Sequence, residues 1–218
     1  IDNLLVELNS EELPILDGSA KNIVEKIENV GFKISDQPIR IIKINKKITY
    51  KDNEKFITFE PNKISLEIDF EIKYKQNSIL NQRNKKNIYI DDLKDIYNSR
   101  TFCLFEDIEK IKKHGLAKGG SLDNAIVVDN EKVLNEEGLR NKKEFVNHKI
   151  LDLAGDFMLS GYRVLGKVKC YQGGHELTNL FLKKIFKTKM AFKVIELSSF
   201  KASKKFYSKE LEKIAVNA

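Results

Sequence analysis

One histidine and two acids stand at helical spacing in the C-terminal half of the chain. His148, Asp152 and Asp156 follow one another at intervals of four residues. In an α-helix such residues lie one turn apart on the same face. An imidazole and a carboxylate at that spacing can reach one ion, and both are good zinc ligands. His148 and Asp152 are therefore our candidate metal ligands, and Asp156 is either a partner that orients a histidine or a surface carboxylate.

The sequence around this pair predicts an amphipathic helix over 144–158. Its apolar side chains fill one broad arc: Val146, Ile150, Leu151, Leu153, Ala154, Phe157 and Met158. We expect this arc to face a core and the histidine and acids to form an ionisable front. The alternative is a solvated polar face, because zinc needs at least one more protein ligand than this spacing supplies.

The other two histidines have different surroundings in the sequence. His175 follows Gly173 and Gly174 at the start of a predicted helix, where the helix dipole disfavours an extra proton. This position suits a third metal ligand, a general acid or a helix-start residue without chemistry. His114 precedes Gly115 in the last turn of a lysine-rich helix, so we expect it to be solvated there.

The composition is that of an ordinary globular protein, with 218 residues, 41% hydrophobic and 33% charged. No apolar run is long enough for a transmembrane segment and the chain opens with no secretion signal, so we expect a cytoplasmic protein. The net charge is +7, but lysines alternate with acids, and we expect no nucleic-acid partner. Cys103 and Cys170 form no metal-binding pattern and are expected to be buried.

Strand and helix patterns divide the chain. The sequence predicts a strand over 3–8, a helix that ends at Gly31, and a boundary at 35–38. Strands over 39–44, 56–59 and 64–74 follow, the last alternating between apolar and polar residues as in a sheet with one wet face. Because the first residue is Ile1 and a strand is already under way, we expect a preceding N-terminal part.

In the second half of the chain, predicted helices alternate with short predicted strands. After a polar loop over 75–87 and a short helix over 91–98, a compact β-α-β excursion is predicted at about 101–129. A strand over 164–171 and a helix from His175 follow the helix of the metal candidates. The lysine-rich tail from Lys187 has no periodic core signal.

Several short motifs occur in a fixed order: ELPILDGSA at 12–20, SRTF at 99–102, GGSLDNA at 119–125, EGLR at 137–140, EFVNHKILD at 144–152, GD at 155–156 and GH at 174–175. In these motifs the chain resembles the UDP-3-O-acyl-N-acetylglucosamine deacetylases, the zinc enzymes of lipid A biosynthesis in Gram-negative bacteria. The resemblance covers nearly the whole chain up to about Lys184.

The resemblance implies an α+β fold of two-layer sheet-and-helix sandwich domains. Residues 1–36 would be the C-terminal part of a first domain, which is only partial here. Residues 37–186 would form a complete second domain with the β-α-β insert at about 101–129, and 187–218 a C-terminal tail.

The resemblance also implies roles for the candidate residues. His148 and Asp152 would be two of three ligands of Zn²⁺, and His175 the protonating histidine, with Asp156 behind it. The family's remaining zinc histidine and the adjacent general-base glutamate would lie upstream of Ile1, so the chain by itself is expected to be inactive.

Further residues are implied to contact the substrate. Thr101 corresponds to the hydroxyl that helps to hold the oxyanion, Lys149 to a phosphate contact, and Asp69 and Phe70 to the neighbourhood of the uridine. The insert is expected to form a hydrophobic passage for the acyl chain, with its candidate lining residues Phe102, Leu104, Ile108 and Ala125. The alternative is that these side chains only pack on the core.

The expected activity is removal of the N-acetyl group from UDP-3-O-acyl-N-acetylglucosamine, which gives acetate and a free amine, by a monomeric enzyme. A different class also fits the residues, namely a non-catalytic α+β binding module without a metal. Metal analysis distinguishes the two classes, because only the enzyme would contain one zinc per intact chain.

Overall fold

The computed structural model describes residues 1–62, 65–115 and 117–198. Within these ranges the helices are α1 (Lys21–Val30), α2 (Lys94–Tyr97), α3 (Ile108–Lys113), α4 (Glu144–Met158) and α5 (His175–Lys187). The strands are β1 (Ile39–Ile44), β2 (Ile48–Asp52), β3 (Lys55–Glu60), β4 (Leu66–Ile72), β5 (Gln82–Asn87), β6 (Phe102–Leu104), β7 (Ile126–Asp129), β8 (Lys132–Val133), β9 (Arg163–Tyr171) and β10 (Phe192–Leu197).

The main sheet is built around β9, the longest of these strands. Its first three residues pair with β1, and the rest pairs with β4 in parallel and with β3 in antiparallel orientation. Strands β2, β5 and β10 complete a seven-stranded sheet at β3, β4 and β1 respectively. Gly166 lies where β9 meets the core, and a β-carbon there would stand 1.9 Å from the ring of Phe59.

One face of this sheet forms the core. Along β4 the apolar residues are buried and the acidic residues between them are half-buried, so the predicted alternation is confirmed. Residue 64, where the predicted strand began, lies outside the described residues. Helix α4 packs on β4, β5 and β9, and α5 packs on β2 and β3. The molecule is thus an α+β sandwich, as predicted, with helices against one side of a curled sheet.

The predicted insert has the expected topology. Strands β6 and β7 pair in parallel and α3 lies between them in the chain, which is the β-α-β arrangement. Strand β8 adds an antiparallel edge that the sequence did not predict. Ile126 and Val128 of β7 are buried in the same core as the main sheet, so the insert is packed onto the domain.

Helix α4 has the predicted bounds, but its environment differs from the prediction. His148 is only 9% exposed, because α2 and the segment before β6 cover what we expected to be an open front. Met158, expected in the core, is 45% exposed, since it is the last residue of the helix. His114 is exposed after α3, as predicted, with Nδ1 beside the Lys110 carbonyl. Cys170 is buried as predicted, whereas Cys103 is only half-buried.

Three strand predictions were wrong. Residues 3–8 are exposed and form no strand, because no other described strand pairs with them. Part of the predicted loop is β5, and its basic residues Arg83 and Lys85 pair with acids of β4 across the sheet. The predicted tail, which was given no strand, contains β10, and this strand pairs in antiparallel orientation with β1. Residues 199–218 lie outside the described residues, and the domain boundaries at 36 and 186 stay predictions.

Candidate active site

The two candidate metal ligands meet on one side of α4. Nε2 of His148 lies 3.3 Å from Oδ1 of Asp152, and both side chains are largely buried. Nδ1 of His148 lies 3.0 Å from the carbonyl oxygen of Ser99, which can only accept a hydrogen bond. In the neutral ring Nδ1 therefore bears the hydrogen, and the Nε2 lone pair points towards the carboxylate.

This arrangement places two electron-pair donors face to face. Burial lowers the pKa of His148, and the attraction of Asp152 and the bond to Ser99 do not fully offset that effect. The ring is accordingly biased towards its neutral form, in which Nε2 and the carboxylate oxygen repel each other. A cation between the two atoms would remove this repulsion.

The distance between the two donors fits a tetrahedral ion. Ligands bound to zinc at 2.0–2.1 Å in a tetrahedron are separated by about 3.3 Å. The Nε2–Oδ1 distance of 3.3 Å matches that edge. Among the described residues there is no group of three or more histidine, cysteine or acidic side chains that could hold a metal. His148 and Asp152 thus fit two positions of a zinc site, and other ligands would have to fill the remaining positions.

His175 and Asp156 form a second pair beside the first. Nδ1 of His175 lies 2.9 and 3.1 Å from the two oxygens of Asp156, so the carboxylate accepts the Nδ1 hydrogen. The imidazole is 69% exposed, whereas Asp156 is only 13% exposed. Helix α5 begins at His175, with the extended Gly174 as its N-cap. The pair presents Nε2 of His175 outwards, where it can exchange a proton with a bound molecule.

Lys149 lies at the edge of the candidate metal pair. Its Nζ donates to Oδ2 of Asp152 at 2.8 Å and stands 5.6 Å from the ring centre of Phe102. Both oxygens of Asp152 are thus engaged, one by Lys149 and the other opposite His148. The ammonium group gives this side of the site a positive charge next to the first residue of the insert sheet, which suits an anionic substrate group.

Main-chain hydrogen bonds hold Thr101 between Gly18 and Ile126. Its N–H donates to the carbonyl of Gly18 at 2.8 Å, and its own carbonyl accepts from Ile126 at 2.8 Å. Thr101 is two residues past Ser99, whose carbonyl binds His148. The residue is half-buried, and its predicted contact to an oxyanion stays a prediction.

Sequence reasoning missed the buried charges that surround this segment. Arg100 is 1% exposed and Glu144 is fully buried, and Nε of the arginine donates to Oε1 of the glutamate at 2.9 Å. Glu137 binds Nη1 of the same guanidinium, and the carbonyl of Gly138 accepts from Nη2 at 2.6 Å. The available signal was Glu144 one turn before His148, but its partner is 44 residues away in sequence.

The predicted uridine contacts occupy two different environments. Asp69 is on the polar face of β4 and binds Arg83 through both oxygens, at 2.7 and 2.6 Å. The hydrogen bond from Arg83 holds the pKa of Asp69 below its usual value despite partial burial. Phe70 is 2% exposed in the core, so its ring has no open face for a nucleotide in this structure. The structure therefore does not bring these two side chains to one surface.

The predicted acyl-passage residues lie together in the insert. Phe102, Leu104, Ile108 and Ala125 are all half-buried, which leaves part of each side chain accessible. Phe102 packs edge-to-face on Phe145 of α4, with ring centres 5.1 Å apart. The insert thus connects directly to the helix of the candidate metal ligands. Whether an acyl chain uses this apolar surface stays a prediction.

The fold and the site together define a class of protein: an α+β sandwich in which a helix-borne His–Asp pair and a second His–Asp pair lie side by side. Comparison with known proteins makes this specific. The family model described as LpxC, UDP-3-O-acyl N-acetylglycosamine deacetylase, matches residues 1–187. The chain belongs to this family, and the prediction made from its motifs is confirmed.

Curated relatives carry the same description, UDP-3-O-acyl-N-acetylglucosamine deacetylase. A protein of Pseudomonas entomophila is 41% identical over 201 residues, which is 89% of this chain and 65% of the relative. A protein of Campylobacter jejuni subsp. jejuni is 40% identical over 215 residues, 96% of this chain and 70% of the relative. The chain thus spans about two thirds of the length of these relatives. Among its described helices, none combines the length and apolar character that crossing a membrane requires.

Proposed function

We propose that the protein acts, with Zn²⁺, as the deacetylase of UDP-3-O-acyl-N-acetylglucosamine in lipid A biosynthesis. The reaction hydrolyses the acetamide and gives acetate and the free glucosamine amine. The main support is the His148–Asp152 pair, whose Nε2 and Oδ1 are 3.3 Å apart, the separation of two ligands on one zinc. The second support is the family to which residues 1–187 belong.

Each side chain has a distinct part in this reaction. His148 and Asp152 would hold the zinc ion together with an upstream histidine that the family resemblance implies. Zinc bound there supplies Lewis acidity towards the acetamide carbonyl and lowers the pKa of water. His175 donates a proton from Nε2 to the departing amine, and Asp156 fixes the hydrogen on Nδ1. Thr101 offers its hydroxyl to the developing oxyanion, and Lys149 its charge to the phosphates.

Metal content of the full-length protein tests the proposal. We expect one zinc per chain after dialysis in the unchanged protein and much less than one in His148→Ala. The matched control is His114→Ala, which removes an exposed histidine at the end of α3 and should retain the full equivalent. Full zinc retention in His148→Ala would rule out this ligand assignment, and no zinc in the unchanged protein would favour the non-catalytic module.

A further inference from the structure

The segment before β6 and the first two turns of α4 share one peptide group. The carbonyl of Ser99 accepts from Nδ1 of His148 at 3.0 Å, and the N–H of Arg100 donates to Oε1 of Glu144 at 3.1 Å. This carbonyl and this N–H belong to the same peptide unit and point in opposite directions, because the unit is trans and planar. Glu144 and His148 therefore bind the two ends of one rigid group.

The spacing on α4 makes this double contact possible. Glu144 and His148 are four residues apart, so their side chains lie on the same face, about 6 Å apart along the helix axis. The peptide group lies alongside this face with its N–H towards the first turn and its carbonyl towards the second. Rotating the peptide would break both contacts at once.

The surrounding charges hold Glu144 in place. Oε1 also accepts from Nε of Arg100 at 2.9 Å, while Oε2 accepts from the N–H of Arg140 at 2.6 Å. Glu144 is fully buried, so a carboxylate without hydrogen-bond donors there would destabilise the fold. The donors on Arg100 and Arg140 satisfy both of its oxygens. Asn141 adds a hydrogen bond to Oγ of Ser99 at 3.1 Å. The carboxylate is thus a fixed acceptor with little freedom to move.

We propose that Glu144 is a positioning residue for the candidate metal ligand: it orients the Ser99–Arg100 peptide, whose carbonyl in turn holds His148 as the Nδ1–H tautomer with Nε2 directed at the metal. The inference rests on the proposed function of His148 as a zinc ligand. Groups that orient a metal-binding histidine through its second ring nitrogen typically change metal affinity by about 10- to 100-fold when removed. In this role the length of the Glu144 side chain, which brings its oxygen to the Arg100 N–H, matters more than its charge.

Two substitutions of Glu144 separate the effect of side-chain length from the effect of charge. Glu144→Gln keeps an acceptor oxygen at the same distance from the Arg100 N–H and removes the charge. Glu144→Asp keeps the charge and withdraws the oxygens by one methylene. Glu137→Gln is the control, since Glu137 also binds Arg100 but is 59% exposed and does not contact the shared peptide group.

The first measurement is the tautomer of His148, from nitrogen-15 chemical shifts of the zinc-free chain. The sequence has only three histidines, so each ring can be assigned with single His→Ala variants. We expect Nδ1–H in the unchanged chain, in Glu144→Gln and in the control, and a mixture of tautomers in Glu144→Asp. A tautomer that is the same in Glu144→Asp, or equally disturbed in both Glu144 variants, would overturn the inference.

The second measurement is zinc affinity of the full-length protein by competition with a chelator. We expect Glu144→Asp to bind zinc about 10- to 100-fold more weakly and Glu144→Gln to stay close to the unchanged protein. Equal affinities in the two variants contradict the inference. An unchanged protein that binds no zinc contradicts the proposed function instead, and the tautomer measurement then still decides the role of Glu144.

Melting of the zinc-free chain checks that each variant is folded. If Glu144→Asp does not fold, the pair Arg100→Met/Glu144→Met serves in its place, because it removes the acceptor without leaving an unpaired buried charge. The same disturbed tautomer and weaker zinc binding are expected. A normal tautomer in that folded variant would overturn the positioning role.

Discussion

Nδ1 of His175 lies 2.9 and 3.1 Å from the two oxygens of Asp156. The carboxylate comes from the fourth turn of α4 and the imidazole from the first residue of α5, so the pair joins the two helices at the site. Asp152 lies one turn before Asp156 on the same helix. Helix α4 therefore supplies a residue to each pair, and its two aspartates face different histidines.

We expect His175→Ala to lower kcat of the full-length enzyme by roughly 10²-fold or more, because general acid catalysis contributes at least that much. Zinc content should remain at one per chain, since His175 contacts Asp156 rather than the candidate ligands. Steady-state kinetics and metal analysis of the same preparation check both parts. Loss of zinc would instead make His175 a ligand.

Asp156→Asn should reduce kcat less than His175→Ala does, by roughly 10-fold, because this carboxylate orients the imidazole and does not react. Asparagine can still accept from Nδ1 through one oxygen, but it lacks the second carboxylate oxygen that also lies within hydrogen-bond distance of Nδ1. Steady-state kinetics of the two variants, measured side by side, check this order. An unchanged kcat in Asp156→Asn would exclude this role for Asp156.

The insert should discriminate between substrates by acyl length. Ile108→Trp and Ala125→Trp add bulk at half-buried positions of the expected passage. If the tryptophan displaces three methylenes at about 0.8 kcal/mol each, kcat/KM on the long-acyl substrate falls by roughly 50-fold. A short-acyl analogue should be affected much less.

Val194→Trp is the control for the added bulk, because Val194 is 44% exposed on β10, outside the insert. The ratio of its kcat/KM values on the long-acyl and short-acyl substrates should equal that of the unchanged enzyme. Equal losses on long and short substrates in the insert variants would mean that these residues only pack on the core.

Periodic elements were predictable from sequence, and polar edge strands were not. The bounds of α4 agree with the prediction because apolar residues recur along all four turns. Strand β5 consists of polar residues only, and it is a strand because Arg83 and Lys85 meet acids on β4. Such pairing depends on the neighbouring strand and leaves no local pattern in β5 itself.

The candidate site shows the same limit. The spacing of His148 and Asp152 identified the pair correctly as neighbours, since both lie on one helix. The contact of His148 with Ser99 spans 49 residues and that of Glu144 with Arg100 spans 44. In both contacts a main-chain atom of the 99–100 segment takes part, and the residue types on α4 do not indicate which distant segment supplies it. Burial of His148 likewise follows from the covering segment and not from the helix pattern.

Acid stability should depend on the carboxylate of Asp17. Burial raises the pKa of Asp17, but hydrogen bonds from Arg140 and Ser19 outweigh it and hold the pKa below the usual 3.8. A lowered pKa in the folded state stabilises the protein above pH 3.8, and that contribution is lost as the pH falls through the lower value. Asp17→Asn should therefore reduce stability at neutral pH and flatten the decline below pH 4, as denaturant titrations across pH would measure. Glu11→Gln, at an exposed position, is the control and should leave the curve unchanged.

Gly18 should be intolerant of any side chain. Its φ is +79°, a conformation that disfavours other residues, and a β-carbon would stand 2.0 Å from the carbonyl oxygen of Asn124. Its own carbonyl accepts from the N–H of Thr101, so a shift at Gly18 also displaces the first residue of the insert. We expect Gly18→Ala to lower the free energy of unfolding by about 2 kcal/mol or more, since strain and overlap both contribute.

Two other glycines separate these contributions. Gly138 has a φ of +65°, and no atom lies near the position of a β-carbon there. Gly138→Ala therefore measures the backbone strain alone. Gly119→Ala has neither the strain nor a close neighbour and should be nearly neutral. Denaturant unfolding of the three variants should rank them with Gly18→Ala least stable and Gly119→Ala most stable. If Gly18→Ala were no worse than Gly138→Ala, the close approach of the 17–19 segment to Asn124 would not exist in solution.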